Sequence, residues 1–231
     1  MTDFSNISAI VTDISGTTSS IEFIDEVLFP YAQNHLISFV KHNPSHPSVQ
    51  ECLLQVAQEV QVDVNNHDVL LHHIQQCLEL NVKSKPLKVL QSLVLQNGYL
   101  EDHFQSHIYK DAHQQLHHWQ QQDLQLFSYS SASVNGQKWF FKYSQEGDLQ
   151  HLFSGHFDTR IGQKQESAAY ANIIQILGKP AEHILFLSDL RQELDAARQA
   201  GLQTCQVIRE ASQPLTSPHP CVRNFNGIKL G

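Results

Sequence analysis

The stretch Ile7-Ser8-Ala9-Ile10-Val11-Thr12-Asp13-Ile14-Ser15-Gly16-Thr17-Thr18 joins a short apolar run to a polar turn, with one carboxylate at the junction. Ile7 to Thr12 reads as a buried strand, and the glycine and hydroxyl residues after it read as a tight turn. Two later segments repeat the arrangement. Leu124 to Tyr129 is an apolar strand ending in Ser130, and Ile184 to Ser188 is a strand followed at once by Asp189. Helical patterns lie between them: Ala112 to Gln121, Val134 to Ser144, Gln165 to Leu177 and Glu193 to Ala200. Gly155 to Phe157 reads as a small strand and Gln203 to Ile208 as a last one. Strands alternating with helices predict an α/β domain with a mostly parallel sheet and helices on both faces. In such sheets ligands gather beyond the carboxyl ends of the strands.

Residues 20 to 100 have a different character. Ile24 to Val40, Val49 to Val62, Val69 to Leu80 and Lys85 to Gln96 are all amphipathic at helical spacing, with no convincing strand. Pro30 predicts a kink or a late start in the first helix, and Asn97-Gly98 is read as the break that ends the fourth. The organisation expected is a core of residues 1–19 and 101–231, with residues 20–100 inserted as a helical domain. The tail from Ser212, with three prolines, is expected to wrap the surface.

Composition excludes several classes. The chain has 231 residues, 41% of them hydrophobic, and carries a formal charge of −8. An acidic chain with scattered lysines and arginines lacks the clustered positive charge that nucleic-acid recognition needs. The N-terminal residues lack the basic-then-apolar order of a secretory signal. No segment is apolar for the roughly 18 residues of a membrane span. The four cysteines form no CxxC pair, which suits reduced thiols in the cytoplasm. The pairs His72-His73 and His117-His118 lack further ligands at metal-site spacing and read as surface histidines.

Asp13 and Asp189 follow buried strands at equivalent ends. Either aspartate alone reads more readily as a helix cap. Together, with Ser130 and a lysine, they read as one pocket. Two adjacent carboxylates repel unless a positive group lies between them, and Mg²⁺ with oxygen ligands and retained waters meets that need.

Asp13-Ile14-Ser15-Gly16-Thr17-Thr18 resembles the first motif of the haloacid-dehalogenase-like hydrolases. The resemblance narrows along the chain to the enolase-phosphatase E1 family of methionine salvage. It is carried by Phe29-Pro30-Tyr31-Ala32, by Lys85-Pro86-Leu87-Lys88, by Tyr129-Ser130-Ser131-Ala132-Ser133 and by Gly155 through Ser167, which includes Gly162-Gln163-Lys164. It is completed by Phe186-Leu187-Ser188-Asp189 with Glu193. The match spans nearly the whole chain, in order.

The resemblance implies a Rossmannoid core with an inserted helical cap and one Mg²⁺ per subunit. It implies that Asp13 is the nucleophile and a metal ligand. The main-chain carbonyl at Ser15 and the carboxylate of Asp189 are the other ligands, with Glu193 behind Asp189. Ser130 and Ser131 bind the phosphate and substrate, and Lys164 steadies nucleophile and phosphate. As a cleft lysine, Lys164 is expected to be mobile and dispensable for stability. The implied reaction converts a phosphorylated methylthio diketone to an acireductone by enolisation and dephosphorylation, in a cytoplasmic monomer with no nucleic-acid or membrane partner. The alternatives are a phosphatase of the same superfamily acting on another small phosphorylated metabolite, or a phosphometabolite-binding protein with weak turnover. The family has glutamate where this chain has Ser15, and an unactivated hydroxyl is a poor proton carrier near neutral pH. Glu22 and Lys88 are candidates for moving the proton by position alone. Trp119, Trp139, Phe140 and Phe141 read as packing residues.

Overall fold

Ala9, Ile10 and Val11 are wholly excluded from solvent in the computed structural model, which describes residues 2–80, 82 and 84–231. A strand covered on both faces needs a continuous apolar run rather than alternation, and this segment has one. The chain forms two compact units, Met1–Phe23 with Gln105–Gly231, and Ile24–Phe104. The joins fall at 23/24 and 104/105, against 19/20 and 100/101 in the sequence reading.

The strands of the first unit are β1 (Thr2–Phe4), β2 (Ala9–Thr12), β3 (Gln125–Tyr129), β4 (Gly155–Phe157), β5 (Ile184–Ser188), β6 (Gln203–Val207), β7 (Cys221–Val222) and β8 (Ile228–Leu230). Six form one sheet in the order β4-β3-β2-β5-β6-β7, and every described pairing in it is parallel. The chain builds outward from β2 through β3 to β4, then returns to β5 on the other side of β2. The gap between β2 and β5 is therefore the topological switch point, where such sheets place their ligands. The tail does not simply wrap the surface. Cys221–Val222 extends the sheet, and β8 pairs in parallel with β1. These strands are only two or three residues long, too short to leave a period in the sequence.

A short helix, α1 (Ile21–Phe23), follows the turn after β2. The second unit is helical: α2 (Phe29–His42), α3 (Pro47–Val60), α4 (His67–Glu79) and α5 (Lys85–Leu100). Residues 24–28 wind as a π turn just before Pro30, which stands in the first turn of α2. Proline has no N–H to give the preceding turn, so the winding changes there. His46 and Ser84 cap α3 and α5 by accepting from Ser48 N and Leu87 N. The apolar stripes of the four helices meet in one core around Leu36, Val56, Ile74 and Leu90.

The expected break at Asn97-Gly98 does not occur, because α5 runs through it to Leu100. A Cβ at residue 98 would lie 2.6 Å from the Phe104 ring and 2.7 Å from the Tyr31 ring. The glycine serves close packing rather than a turn.

The remaining helices of the first unit are α6 (Lys110–Gln121), α7 (Val134–Lys142), α8 (Ser167–Leu177) and α9 (Arg191–Gln199). One face of the sheet packs Ala9, Val11, Phe127 and Phe186 against Ala169 and Ile173 of α8 and Leu194 and Ala197 of α9. Trp119, Phe140 and Phe141 are buried and Trp139 is half-buried. His72 and His118 are exposed, whereas His73 and His117 are half-buried, His73 against the Cys77 thiol at 3.4 Å. Among the described residues no helix is long and apolar enough to cross a membrane.

Gly98→Ala tests the packing at α5. Alanine is the better helix former by about 1 kcal/mol, but overpacking costs ~1–3 kcal/mol. We expect a net loss of stability in urea denaturation; a gain would show that Tyr31 and Phe104 move aside freely.

Candidate active site

Asp13 and Asp189 leave the ends of neighbouring strands. Thr12 of β2 lies beside Leu187 of β5, and Asp13 N donates to Leu187 O at 2.8 Å. The turn after Asp13 is closed by the amides of Thr17, Thr18 and Ser19, which all donate to Ile14 O. Thr18 Oγ1 donates to Asp13 O at 2.7 Å. Gly16 has φ +77°, and a Cβ there would fall 2.5 Å from Asp189 Oδ2. Glycine is thus required twice, for the backbone and for the approach of the carboxylate.

Thr17 stands between the two carboxylates. Its Oγ1 lies 3.3 Å from Asp13 Oδ2 and 3.4 Å from Asp189 Oδ1, and accepts from Asp189 N at 2.9 Å. Thr17 lies within the first motif, but the sequence reading gave it no role.

Lys164 reaches the same place from the loop between β4 and α8. Its Nζ is ion-paired with Asp13 Oδ1 and lies 2.8 Å from Glu193 Oε2. Tyr170 Oη donates to Lys164 O, and Tyr129 Oη to Gly162 O, each at 2.8 Å. Gly162 packs so closely on α8 that a Cβ would meet Ala169 Cβ at 2.6 Å. Lys164 is 7% exposed, which corrects the expectation of a mobile cleft lysine. Burial pulls its pKa down, but the charges of Asp13 and Glu193 outweigh that and hold it above the ordinary lysine value.

Glu193 is fully buried in the first turn of α9. It accepts from Ser188 Oγ at 2.9 Å and pairs with Lys164, and its charge also acts on Asp189. Burial raises its pKa against the opposing pull of Lys164. Burial, and then the charge of Asp13, push Asp189 up to about 7. Three carboxylates therefore face one ammonium. That surplus of negative charge on hard oxygen donors suits a divalent cation. Among the described residues no three His, Cys, Asp or Glu side chains group as metal ligands. The groups that could hold a cation here are Asp13 and Asp189, with a main-chain carbonyl and water to complete the shell.

Ser130 continues β3 past its last residue, next to the end of β2, and is half-buried; its N donates to Phe157 O. Its Oγ accepts from Ala132 N at 3.1 Å, while Ser131 is exposed. Gln137, fully buried, holds this turn by donating to Ala132 O and Phe157 O. Ser15 is half-buried and bridges to Ser19. Glu22 and Lys88 are exposed.

Comparison with known proteins fits this geometry. The structure superimposes on the HAD-hydrolase YfnB of Bacillus subtilis with a TM-score of 0.57 at 16% identity, over 96% of each chain. The fold is that of the haloacid-dehalogenase-like hydrolases. It superimposes on the UTR4 protein of Saccharomyces cerevisiae with a TM-score of 0.78 at 32% identity, over 95% of this chain and 99% of that one. The sequence is 44% identical over 230 residues to the enolase-phosphatase E1 of Hahella chejuensis, covering 100% of this chain and 99% of that protein. The chain belongs to the enolase-phosphatase E1 family. No family model matches it.

Two measurements follow from the charges. Lys164→Ala leaves two buried carboxylates without their partner, and we expect a loss of ~3–5 kcal/mol by chemical denaturation in metal-free buffer; a loss below about 1 kcal/mol would mean that the pair is solvated. Asp189 is the opposite case. Its folded pKa lies above the unfolded value, so its contribution to stability is whole below about pH 4 and is lost as pH rises through about 7. Asp189→Asn should therefore stabilise the metal-free protein by roughly 2–4 kcal/mol at about pH 8 and by much less at about pH 4. Equal effects at both pH values would contradict the raised pKa.

Proposed function

We propose that the protein is a Mg²⁺-dependent enolase-phosphatase. Its substrate is 2,3-diketo-5-methylthiopentyl-1-phosphate, and its product is the acireductone 1,2-dihydroxy-3-keto-5-methylthiopentene. The observation that carries the reading is Asp13, ion-paired with buried Lys164 at the switch point beside Asp189. Asp13, Asp189 and the carbonyl of Ser15 are the residues to hold Mg²⁺, which when bound neutralises charge on the phosphoryl group and on the diketone oxygen.

The chain's own groups do the rest. A carboxylate oxygen of Asp13 attacks phosphorus, the ester P–O bond breaks, and water then hydrolyses the aspartyl-phosphate to return the carboxylate. Lys164 is paired with Glu193 throughout and with Asp13 whenever that carboxylate is free, and it offsets charge on the phosphoryl oxygens. Ser130 and Ser131 supply hydroxyl donors at the end of β3. The unit Ile24–Phe104 is the family's cap. Four free cysteines suit a reducing cytoplasmic compartment, and we take the protein to act there as a monomer.

Ser15 favours a second reading, a phosphometabolite-binding protein of weak turnover, since the family's carboxylate is missing at the position beside the nucleophile. The assay uses the diketo phosphate at saturating Mg²⁺, following enol absorbance and phosphate release separately in a single turnover. We expect the enol to form readily and phosphate to leave more slowly. Ser15→Glu should speed release at least about tenfold, since general acid help is typically worth ~10²–10⁴-fold. Neither enol nor phosphate from either protein would favour the second reading. Phosphate from simple esters but no enol would favour a general phosphatase.

A further inference from the structure

Arg209, two residues past β6, grips the turn after Asp13 from behind. Its Nη2 and Nε donate to Thr17 O at 2.6 and 3.0 Å. Its Nη1 lies 2.8 and 2.7 Å from the two oxygens of Asp111. The guanidinium sits over the Tyr109 ring at 4.0 Å and near the Phe225 ring at 5.1 Å. The cradle is itself tied down. Asp111 Oδ2 also accepts from Phe225 N at 2.8 Å, and Tyr109 N donates to Thr18 O at 3.1 Å.

Thr17 thus has two jobs. Its carbonyl is held by Arg209, and its hydroxyl lies between Asp13 and Asp189. We propose that Arg209, with Asp111, is a positioning residue that sets the separation of the Asp13 and Asp189 carboxylates through Thr17. The proposal rests on those carboxylates being the active centre described above. Carboxylates this close drift apart when no cation lies between them, and the threonine wedge resists only if its main chain is fixed. A planar fork can hold a carbonyl and a carboxylate together, which a single ammonium on a flexible stem cannot. A buried ion pair adds little net stability over an apolar substitute. Orientation of the turn is what this one supplies.

The test compares Arg209→Lys and Asp111→Asn with the wild type in four measurements. These are melting temperature, Mg²⁺ affinity of the substrate-free protein by calorimetry, amide exchange at residues 16–19, and kcat with KM. Small misplacements of reacting groups cost up to about a hundredfold. We expect Arg209→Lys to weaken Mg²⁺ binding and to lower kcat, each by at least about tenfold, with KM changed by less than about threefold. Exchange at Thr17 and Thr18 should rise while the amides of β2 stay protected. Asp111→Asn, the milder variant, should shift the same readouts in the same direction and decides the matter if Arg209→Lys fails to fold. A lower melting temperature with Mg²⁺ affinity, exchange and kcat unchanged would make Arg209 a structural brace and overturn the proposal. If the wild type binds Mg²⁺ but hydrolyses no phosphate ester, the functional reading falls, and the affinity of the variants still decides the positioning role. If it binds no Mg²⁺, exchange at Thr17 and Thr18 decides: a rise supports the proposal, and no change overturns it.

Discussion

One ammonium held between two buried carboxylates organises this molecule. Lys164 Nζ joins Asp13, at the end of β2, to Glu193, in the first turn of α9. The pair Lys164–Asp13 spans 151 positions of sequence, so it closes only when the sheet is assembled in order. Each partner is supported from a different element. Two tyrosine hydroxyls hold the lysine's loop, Ser188 holds the glutamate, and Thr18 holds the aspartate's main chain. A buried charge without such partners costs several kcal/mol, and with them it roughly breaks even. The cluster is better understood as geometry than as stability.

The fold accounts for where this cluster lies. Reversal of strand order between β2 and β5 leaves their ends unobstructed by a crossover, and the same reversal brings Asp13 and Asp189 side by side. Gly16 permits the contact because it lacks a Cβ. The raised pKa of Asp189 expresses its burial first and its nearness to Asp13 second. That cost is relieved by positive charge, which phosphoryl transfer also demands. Ser15 is the exception within this frame. Its carbonyl is unchanged in kind from that of the family's residue, while its side chain cannot do a carboxylate's proton work.

What the sequence made legible was local. β2 and β5 are apolar runs interrupted by an aspartate, so strand, strand end and carboxylate can be read together from a few adjacent residues. Helix α8 announces its end with Gly178, which adopts φ +61°. Long-range relations were not legible from pattern. Lys164 was read beside Asp13 from the resemblance alone, and as mobile, because its buried pairing with Glu193 leaves no local pattern. The pairing of Glu193 with Lys164 was not legible in the motif that holds Asp189 and Glu193. Gly98 was read as a breaker because glycine's need for space and its need for positive φ look alike in sequence. Arg209 and Asp111 carried no motif, and their ion pair joins residues 98 positions apart. The strands β1, β7 and β8 were missed because two or three residues carry no period, whereas the equally short β4 was read at Gly155 to Phe157.

The central claim is that Asp13 is the nucleophile, and trapping the covalent intermediate tests it most directly. Protein mixed with the diketo phosphate and Mg²⁺ is quenched in acid during the first turnover, reduced with borohydride and mapped by peptide mass spectrometry. The account predicts that an acyl phosphate at residue 13 is reduced to homoserine, with every other aspartate and glutamate intact. Phosphate release at a normal rate with residue 13 unmodified, or with the label at another carboxylate, would contradict it.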